Sequence, residues 1–489
     1  MSKNVIEGLK PQSLWQRFYE LTQVPRPSKK EEKVIEYLTN LAKDLKLKYK
    51  KDKVGNVVIS VPATKGYENS PTVVLQSHVD MVCEKNKETN FDFDNDAIKM
   101  IREGEWIKAD GTTLGSDNGI GAAAALAVLT DANITHGPLE CLFTIDEETG
   151  LTGANNLEPG FVTGKTLLNL DTEEDGAFYI GCSGGIDTQG EFDIEFVKVD
   201  ENLSAFNLMV TGLKGGHSGM DINLGKGNAI KILGRTLKSL ETIEYHLAFI
   251  EGGSKRNAIP REAEALILVK NSDANNLEKI VTEFEALVKD EFKTIEPQLK
   301  LKLKMLENKP GQMFTEELKS RLVNSILAIP HGVINMSPDI PGLVETSTNL
   351  ATILNTNGKI VIGSSQRSSV ESAKKYIQQS VTAVFNLANA KVTGGDGYPG
   401  WKPSLNSEVL NISKEIYKKL YKNEPELKAV HAGLECGILG EKYPGMDMIS
   451  FGPTIEGAHS PDEKVHIPSV EKFYELLSAI LQELAKQKN

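Results

Sequence analysis

The chain has 489 residues, which is enough for two or three domains of ordinary size. It carries 55 Lys and Arg against 67 Asp and Glu, a net charge of −12, so it lacks the electrostatic signature of a protein that binds nucleic acid or anionic membranes. Apolar residues make up 40% of the chain and charged residues 25%, the balance of a folded globular protein rather than a disordered or fibrous one.

The sequence contains no segment that predicts export or membrane anchoring. The N-terminal stretch has no apolar core of the length found in secretory signals, and the longest apolar run, 120–129, is about half a membrane span. The four cysteines are scattered without a C-x-x-C pair, which argues against a disulfide framework and a thiolate zinc site. We therefore expect a cytoplasmic protein.

The first part of the chain has the pattern of an α/β sheet. Ser28 and Glu31 have the spacing of a capping box, and the apolar positions after them predict a helix over 29–47. Beyond this helix, β-rich runs surround an Ala-rich segment, and such alternation is typical of α/β folds. The predicted strands are 54–61, 72–79, 139–146 and 165–171, and the Ala-rich helix is 119–131.

A different pattern follows the glycine cluster at 181–185. The β-α-β-β-α-β order found there is typical of a ferredoxin-like fold. Its predicted elements are strand 205–213, helix 226–242, strand 245–251, strand 262–269, helix 275–292 and strand 299–306. Part of a second copy is indicated by pattern only, with a helix from about 315, strands 343–355 and 358–364, and a helix 369–389.

The α/β pattern returns after a second Gly- and Pro-rich stretch at 394–401. A helix begins near residue 405, a strand is predicted at 446–451, and a last helix runs through 470–484. We therefore predict an α/β domain, formed by 1–185 and 396–489, that is interrupted by an inserted domain at 186–395. The chain would pass between the two domains at glycine-rich segments, which suit a hinge. The alternative is two separate domains in tandem.

Several predicted strands end in side chains that bind metals. An open α/β sheet binds ligands beyond the carboxyl ends of its strands. His78 and Asp80 are two residues apart at one such end, so both project to the same side. Glu147 and Glu148 follow another strand, and their adjacent side chains must point in different directions.

Three further positions extend this set. Asp171 ends an apolar strand, Asp117 stands ahead of the Ala-rich helix, and His459 lies in a polar loop after the last predicted strand. Taken singly, a strand-end Asp is usually a turn former or a helix cap, and a Glu pair is usually part of a solvated loop. Their joint placement at one edge of the sheet favours a metal site.

The motifs around these residues resemble, in order and spacing, those of the co-catalytic dizinc peptidases related to glutamate carboxypeptidase. The matching segments are His78-Val79-Asp80, Gly115-Ser116-Asp117-Asn118-Gly119, Asp146-Glu147-Glu148-Thr149-Gly150, Asp171 and Gly457-Ala458-His459-Ser460. Similarity to the dipeptidases of that family continues at 181–185, 215–219 and 431–437 and spans nearly the whole chain. It implies a dizinc exopeptidase-like catalytic domain with an inserted, enlarged ferredoxin-like α+β lid domain.

The resemblance implies a set of metal ligands. Asp117 would bridge two ions. His78 and Asp171 would be the other ligands of one ion, and Glu148 and His459 those of the second. The cofactor is then a pair of divalent ions, with zinc favoured by His and carboxylate ligation and manganese or cobalt as alternatives.

The resemblance also implies roles for residues that bind no metal. Two adjacent divalent ions lower the pKa of a water molecule beside them. A carboxylate that binds no metal must then accept the proton of this water and pass it to the leaving amine. Glu147 would be this general base. Asp80 would orient the imidazole of His78, and the peptide between Asp117 and Asn118 would be cis.

The inserted domain is expected to supply the remaining substrate contacts. By the resemblance, His217 in a Gly-rich turn stabilises the oxyanion with help from Asn257. Arg367 is a candidate for binding the terminal carboxylate of a peptide, with an ordinary surface arginine as the alternative. Glu435 is a candidate for binding the substrate α-ammonium, with a structural role in its turn as the alternative.

These assignments predict a metallopeptidase whose substrates are dipeptides, of Xaa-His type and broader. The alternatives are an acylase or a carboxypeptidase on the same scaffold, and a catalytically silent binding protein. We expect a monomer or a homodimer without nucleic acid or membrane partners. A lid of twice the ordinary size predicts that His217 acts within its own chain.

Overall fold

A computed structural model gives the fold and describes residues 5–395 and 397–487. The α-helices in these ranges are α1 (Gln12–Thr22), α2 (Glu32–Asp44), α3 (Ser116–Val128), α4 (Glu147–Gly150), α5 (Thr152–Asn156), α6 (Ala229–Ser239), α7 (Ala274–Phe292), α8 (Glu316–Ala328), α9 (Glu371–Leu387), α10 (Glu408–Tyr421), α11 (Glu435–Lys442) and α12 (Ile467–Ala485). None of these helices is both long and apolar enough to cross a lipid bilayer.

The strands of the same ranges are β1 (Lys48–Lys51), β2 (Val57–Val61), β3 (Val73–His78), β4 (Met100–Glu103), β5 (Trp106–Ala109), β6 (Leu139–Thr144), β7 (Thr166–Asn169), β8 (Ala177–Cys182), β9 (Gly184–Asp193), β10 (Phe196–Lys198), β11 (Leu203–Thr211), β12 (Gly216–His217), β13 (Tyr245–Gly252), β14 (Ala258–Ile259), β15 (Ala263–Lys270), β16 (Lys300–Met305), β17 (Gln312–Phe314), β18 (Gly332–Met336), β19 (Val344–Thr356), β20 (Lys359–Ser368), β21 (Lys391–Gly394), β22 (Glu426–Val430), β23 (Asp447–Ser450), β24 (Ile455–Glu456) and β25 (Lys464–His466).

The chain divides into two compact units. The first comprises Met1–Gly181, Pro403–Ala429 and Leu434–Asn489, and the second comprises Cys182–Lys402 and Val430–Gly433. These bounds differ by a few residues from the predicted crossings at 185/186 and 395/396, and residue 396 itself lies outside the described residues. Backbone hydrogen bonds within the second unit account for the difference. Cys182 and Trp401 exchange two of them, and the amide of Ser183 donates to carbonyls in 430–433.

An eight-stranded sheet organises the first unit, in the order β1-β2-β6-β3-β7-β23-β8-β22. Its middle strands β6, β3, β7 and β23 run parallel, and β3 and β6 are buried along their whole length, as parallel strands covered on both faces are. The four strands predicted before residue 172 are confirmed, each slightly shorter than expected. Because β6, β3 and β7 are parallel neighbours, their carboxyl ends lie at one edge.

The first helices of the unit follow the prediction except at one end. The Ala-rich helix is confirmed as α3 and begins a few residues earlier than expected. The prediction that Ser28 and Glu31 form a capping box is wrong, because α2 begins at Glu32 without a side-chain cap. Instead, Ser28 Oγ donates to Asp80 at 2.8 Å, and Glu31 accepts from the amides of Lys29 and Asp146 at 2.8 and 3.0 Å.

A nine-stranded antiparallel sheet organises the second unit. Its strand order is β16-β11-β15-β13-β19-β20-β9-β21, with β18 paired to β19. The predicted ferredoxin-like order is confirmed, because β11, α6, β13, β15, α7 and β16 follow one another along the chain. We call these elements the first half of the sheet.

The second half has the same spatial arrangement and is complete. Its strands lie side by side in the order β19-β20-β9-β21, which mirrors the order β13-β15-β11-β16 of the first half. Helices α8 and α9 occupy the same places in the chain order of the second half as α6 and α7 do in the first. The sequence pattern indicated only part of this copy, because its first strand, β9, precedes the whole first half in the chain. One apolar core underlies both halves.

Candidate metal centre

Three neighbouring strand ends place most of the candidate ligands. His78 is the last residue of β3, and Asp171 lies two residues beyond β7. Glu147 and Glu148 open α4, just beyond the end of β6. Asp146, at φ 47°, turns the chain between β6 and α4. The sheet therefore gathers these side chains at the edge where α/β proteins bind ligands.

Asp117 lies between two histidines and contacts each with a different oxygen. Its Oδ1 is 3.1 Å from His78 Nε2, and its Oδ2 is 3.2 Å from His459 Nε2. His78 Nε2 is also 3.4 Å from Asp171 Oδ1, and His459 Nε2 is 3.0 Å from Glu148 Oε2. The result is two trios of ligand atoms that share Asp117, each trio lying within 4.8 Å.

The charges of this cluster fit a pair of cations. In the described part of the chain, no Lys or Arg forms an ion pair with Asp117, Glu148 or Asp171, and buried carboxylates without a cation are costly. Hydrogen bonds to Asp117 and Glu148 raise the pKa of His459 to about 11. Glu148 Oε1 is buried and has no hydrogen-bond partner among these residues.

The pKa values of the carboxylates reflect the same crowding. Burial raises the pKa of Asp171 and of Glu148, and the neighbouring Asp117 raises both further. Burial also raises the pKa of Asp117, but hydrogen bonds from His459 and His78 outweigh it and hold that pKa below its usual value. Two divalent ions that act together are typically bound by imidazole nitrogens and carboxylate oxygens, with one carboxylate shared between them. The two trios that share Asp117 fit such a pair.

Asp80 links the ligand His78 to the helix that carries Glu147 and the ligand Glu148. Its Oδ1 lies 3.3 Å from His78 Nδ1, on the far side of the imidazole from the cluster. It also accepts hydrogen bonds from the amides of Glu147 and Glu148, at 3.1 and 3.3 Å. The hydroxyl of Ser28 donates a further hydrogen bond to Asp80 at 2.8 Å. Asp80 therefore fixes the ring of His78 and the start of α4 together.

Glu463 holds the loop that presents Asp117, a function that the sequence motif did not indicate. Its buried carboxylate accepts from the amides of Leu114, Gly115 and Ser116 at 2.7, 2.8 and 2.6 Å, and from that of Asp117 at 3.2 Å. The following Asp117-Asn118 peptide is cis. The signal available in the sequence was an acidic residue four positions after His459.

Arg26 is a second residue that sequence reasoning missed. Its fully buried guanidinium donates to the carbonyls of Val79 and Asp80 at 3.0 and 2.9 Å, and to that of Gly115. A Cβ at Gly115 would lie 2.4 Å from Arg26 Nη2, and Gly115 has φ 71°, so only glycine fits this position. Arg26 thus joins the end of β3 to the loop before α3.

Glu147 and Glu435 differ in burial, because Glu147 is partly exposed and Glu435 is fully buried. Burial raises the pKa of Glu147 well above its usual value, and Asp171, Glu435 and Glu148 add to the effect against the opposing pull of His78. Glu435 has no exposed surface and accepts from Gln76 Nε2 at 2.6 Å and from Thr144 Oγ1 at 2.7 Å. These two bonds involve Oε2, whereas Oε1 is buried and has no hydrogen-bond partner in the described part of the chain, so the position fits both the structural role and the binding of an ammonium group. Burial raises its pKa to about 7.

His217 and Asn257 belong to the second unit and lie near each other, because β12 pairs with β14. The amides of Gly219 and Met220 donate to His217 Nδ1, both at 3.2 Å. Burial and the charge of Arg367 lower the pKa of His217. A neutral imidazole that accepts at Nδ1 carries its proton on Nε2, which leaves Nε2 as a donor.

Arg367 is nine-tenths buried and lies on β20, opposite Ser347 on β19. Its Nη1 donates to the hydroxyl of Tyr398 at 2.9 Å, and its Nε has no partner in the described part of the chain. Buried guanidinium groups without a carboxylate partner suit an anionic ligand. The alternative of an ordinary surface arginine does not fit this burial.

His431 occupies the same side of the second sheet. Its two ring nitrogens lie 2.7 Å from the hydroxyls of Ser183 and Ser347. Burial, followed by the charges of Arg367 and His217, lowers the pKa of His431 to about 3, so the ring is neutral.

Comparisons with known proteins agree with this geometry. The model of peptidase family M20/M25/M40 matches residues 74–483. The chain is 42% identical over 480 residues to the cytosol non-specific dipeptidase of Escherichia coli K12, covering 98% of this chain and 99% of that protein. The crystal structure of an aminoacylhistidine dipeptidase from Vibrio alginolyticus has a TM-score of 0.91 at 42% identity and covers 98% of each chain. A tripeptidase from Staphylococcus aureus shares the fold, with a TM-score of 0.56 at 18% identity over 98% of this chain and all of that one.

Proposed function

Because the chain belongs to peptidase family M20/M25/M40, we propose that it is a metal-dependent dipeptidase that hydrolyses dipeptides to free amino acids. The observation that carries this proposal is the pair of ligand trios that share Asp117. Relatives that the chain covers over nearly their full length are named as dipeptidases, and one is named for aminoacylhistidine. Xaa-His dipeptides are therefore the first substrates to test.

The proposal assigns His78, Asp117 and Asp171 to one divalent ion and Asp117, Glu148 and His459 to the other. Zinc is the ion that this mixture of imidazole and carboxylate favours, with manganese and cobalt as alternatives. Such a pair supplies Lewis acidity and acidifies water beside it.

The chain's own groups manage the protons and the charge. Glu147 binds no metal in this assignment, so it accepts the proton of the attacking water and delivers it to the leaving amine. Asp80 keeps the imidazole of His78 in the orientation that leaves Nε2 free. In the second unit, the Nε2 proton of His217 and the amide of Asn257 are assigned to the developing oxyanion, and Arg367 to the carboxylate of the dipeptide.

Substitution of the general base tests the mechanism. Glu147→Gln keeps the shape of the side chain but removes its basicity, so kcat for Ala-His should fall by roughly 100- to 10,000-fold. KM and a content of two ions per chain should be unchanged. Glu158→Gln, an exposed glutamate of the same unit, is the matched control. Retained turnover in the Glu147 variant would show the assignment to be wrong.

A substrate panel separates the alternatives. Ala-His, carnosine, a tripeptide and an N-acetyl amino acid are assayed side by side with zinc-, manganese- and cobalt-loaded protein. Preference for the dipeptides supports the proposal, whereas preference for the acetylated compound or the tripeptide indicates an acylase or a carboxypeptidase. A fully metal-loaded chain that cleaves none of them would be a binding protein.

A further inference from the structure

Three buried polar side-chain atoms of the second unit have no hydrogen-bond partner among the described residues. They are Ser218 Oγ, Asn349 Oδ1 and Arg367 Nε. Buried polar atoms are normally paired, because an unpaired one costs free energy, so these three indicate a ligand site. A guanidinium nitrogen only donates, an amide oxygen only accepts, and a hydroxyl does either. A ligand that fits them carries both acceptors and a donor.

The side-chain amide of Asn349 has one orientation that its surroundings allow. Its Nδ2 donates to the carbonyl of Ala258 at 2.8 Å and to that of Arg256 at 3.4 Å. The reverse orientation would place the amide oxygen against two carbonyl oxygens, so Oδ1 must point away from them. Asn349 is only 2% exposed, and no described group of the chain donates to this oxygen. The ligand site therefore contains a fixed acceptor that lacks a donor.

Asn349 lies beside Arg367 on one face of the second sheet. Strands β19 and β20 pair Ser347 with Arg367 and Asn349 with Ser365. Directly paired residues project to the same face, and so do Ser347 and Asn349, which are two residues apart. Asn349 and Arg367 are thus diagonal neighbours, and the Cβ atoms of such residues lie about 7 Å apart.

The same amide of Asn349 holds the segment that carries Asn257. The two carbonyls to which it donates belong to the residues on either side of Asn257. The carbonyl of Asn257 itself accepts from the amide of Ser218 at 2.8 Å. Asn349 is therefore a neighbour both of Asn257, which the proposed function assigns to the oxyanion, and of Arg367, which it assigns to the terminal carboxylate.

A dipeptide presents its groups in an order that matches these residues. The scissile carbonyl is followed by the amide N–H, the α-carbon and the carboxylate, and the nitrogen lies about 2.5 Å from the carboxylate carbon. Its N–H is the one donor between the groups assigned to Asn257 and Arg367. We propose that Asn349 Oδ1 accepts the hydrogen bond of the scissile N–H. This inference rests on the proposed function and makes Asn349 a specificity-determining residue, which selects peptide bonds with an N–H over esters and over bonds to proline.

The first experiment compares a peptide with its ester isostere. Alanyl-alanine and alanyl-lactate differ only in the N–H, which oxygen replaces in the ester. Zinc-loaded wild type and Asn349→Ala are assayed with both compounds. In the variant, kcat/KM for alanyl-alanine divided by kcat/KM for alanyl-lactate should fall roughly 10- to 100-fold from its wild-type value. Displacement of the Asn257 segment slows both reactions and cancels in this ratio, so an unchanged ratio would overturn the inference.

A matched variant comes from the same strand. Asn355 also lies on β19, and its Nδ2 donates to the carbonyl of Ile250 at 2.7 Å. Asn355→Ala therefore removes the same side-chain amide and a hydrogen bond of the same kind. It should leave the ratio for the two compounds at its wild-type value, and an equal fall in this variant would count against a specific role of Asn349.

The wild type alone supplies a second test, which holds even if Asn349→Ala does not fold. Alanyl-sarcosine differs from alanyl-glycine by a methyl group on the scissile nitrogen, and alanyl-proline also lacks the N–H. Because either compound leaves the buried acceptor unpaired, kcat/KM for each should be lower than for alanyl-glycine by roughly 100-fold or more. Comparable values for the three compounds would overturn the inference.

Failure of this inference can be told apart from failure of the proposed function. A zinc-loaded wild type that cleaves alanyl-glycine and alanyl-sarcosine equally well is a dipeptidase in which Asn349 has no such role. A fully loaded wild type that cleaves none of the dipeptides would overturn the proposed function, and this inference with it.

Discussion

Arg367 Nη1 lies 2.9 Å from the hydroxyl oxygen of Tyr398, and the ring of that tyrosine is packed between two glycines. A Cβ added at Gly185 would lie 2.7 Å from the ring, and one at Gly433 would lie 2.9 Å from it. The backbone of Tyr398 is held by reciprocal hydrogen bonds with Gly185 and by Lys374 Nζ at 2.7 Å. Tyr398 therefore orients the guanidinium that we assign to the substrate carboxylate.

Removal of this hydroxyl should weaken substrate binding without slowing the chemical step. In Tyr398→Phe we expect KM for Ala-His to rise roughly 3- to 10-fold at nearly constant kcat, the effect of one hydrogen bond on the orientation of Arg367. Alanyl-histidine amide, which lacks the carboxylate, should be cleaved equally by both proteins. Tyr376→Phe, in which the affected tyrosine is 67% exposed, is the control. A fall in kcat with unchanged KM would contradict the positioning role.

Glu463 should matter for stability and for metal binding alike. Glu463→Gln replaces an acceptor that faces four amide groups by a group that both accepts and donates, so buried amides lose their partner. We expect the free energy of unfolding of the metal-free protein to fall by about 3 kcal/mol in urea titrations, and zinc to bind more weakly in calorimetry. Glu456→Gln, on the exposed side of the same loop region, should behave as wild type. Equal stability of the Glu463 variant and wild type would refute this role.

His431 predicts how stability depends on pH. Its pKa is about 3 in the folded protein against about 6.5 in the unfolded chain, so between these values the unfolded state binds more protons. Its contribution is therefore fully present above pH 6.5 and is lost as the pH falls towards 3. From pH 7 to pH 5, wild type should lose about 2 kcal/mol more than His431→Asn. Urea unfolding of both metal-free proteins at the two pH values measures this, and parallel pH dependences would exclude it.

The prediction that His217 acts within its own chain is open to a mixing experiment. Equal amounts of His217→Ala and Glu147→Ala are combined, unfolded and refolded together, and assayed with Ala-His. If each chain uses its own histidine, the mixture should be no more active than the separate variants. Recovery of about a quarter or more of wild-type activity would show that chains share the residue.

Much of the architecture could be predicted from hydrophobic periodicity, because most buried strands and amphipathic helices here are long and bounded by glycine or polar turns. The metal ligands were also accessible, because parallel strands bring their carboxyl ends to one edge whatever their order in the sheet. His78, Asp171 and the Glu147-Glu148 pair could therefore be grouped before their distances were known.

The supporting residues could not be predicted in this way. Arg26 and Glu463 act through backbone groups that are distant in sequence, and no local pattern marks an acceptor for four amides in a neighbouring loop. Ser28 was misread because its spacing to Glu31 satisfies a local rule, whereas its actual partner, Asp80, is supplied by the tertiary fold.

The position of β9 ahead of the entire first half has a consequence for synthesis of the protein. Asp193 of β9 pairs with Lys359 of β20, so the partner emerges from the ribosome 359 − 193 = 166 residues later. Contacts of such long sequence separation form late and slowly, whereas the first half closes on its own shorter connections. During translation β9 must wait as an unpaired strand, and chaperones that shield extended segments would find their target there.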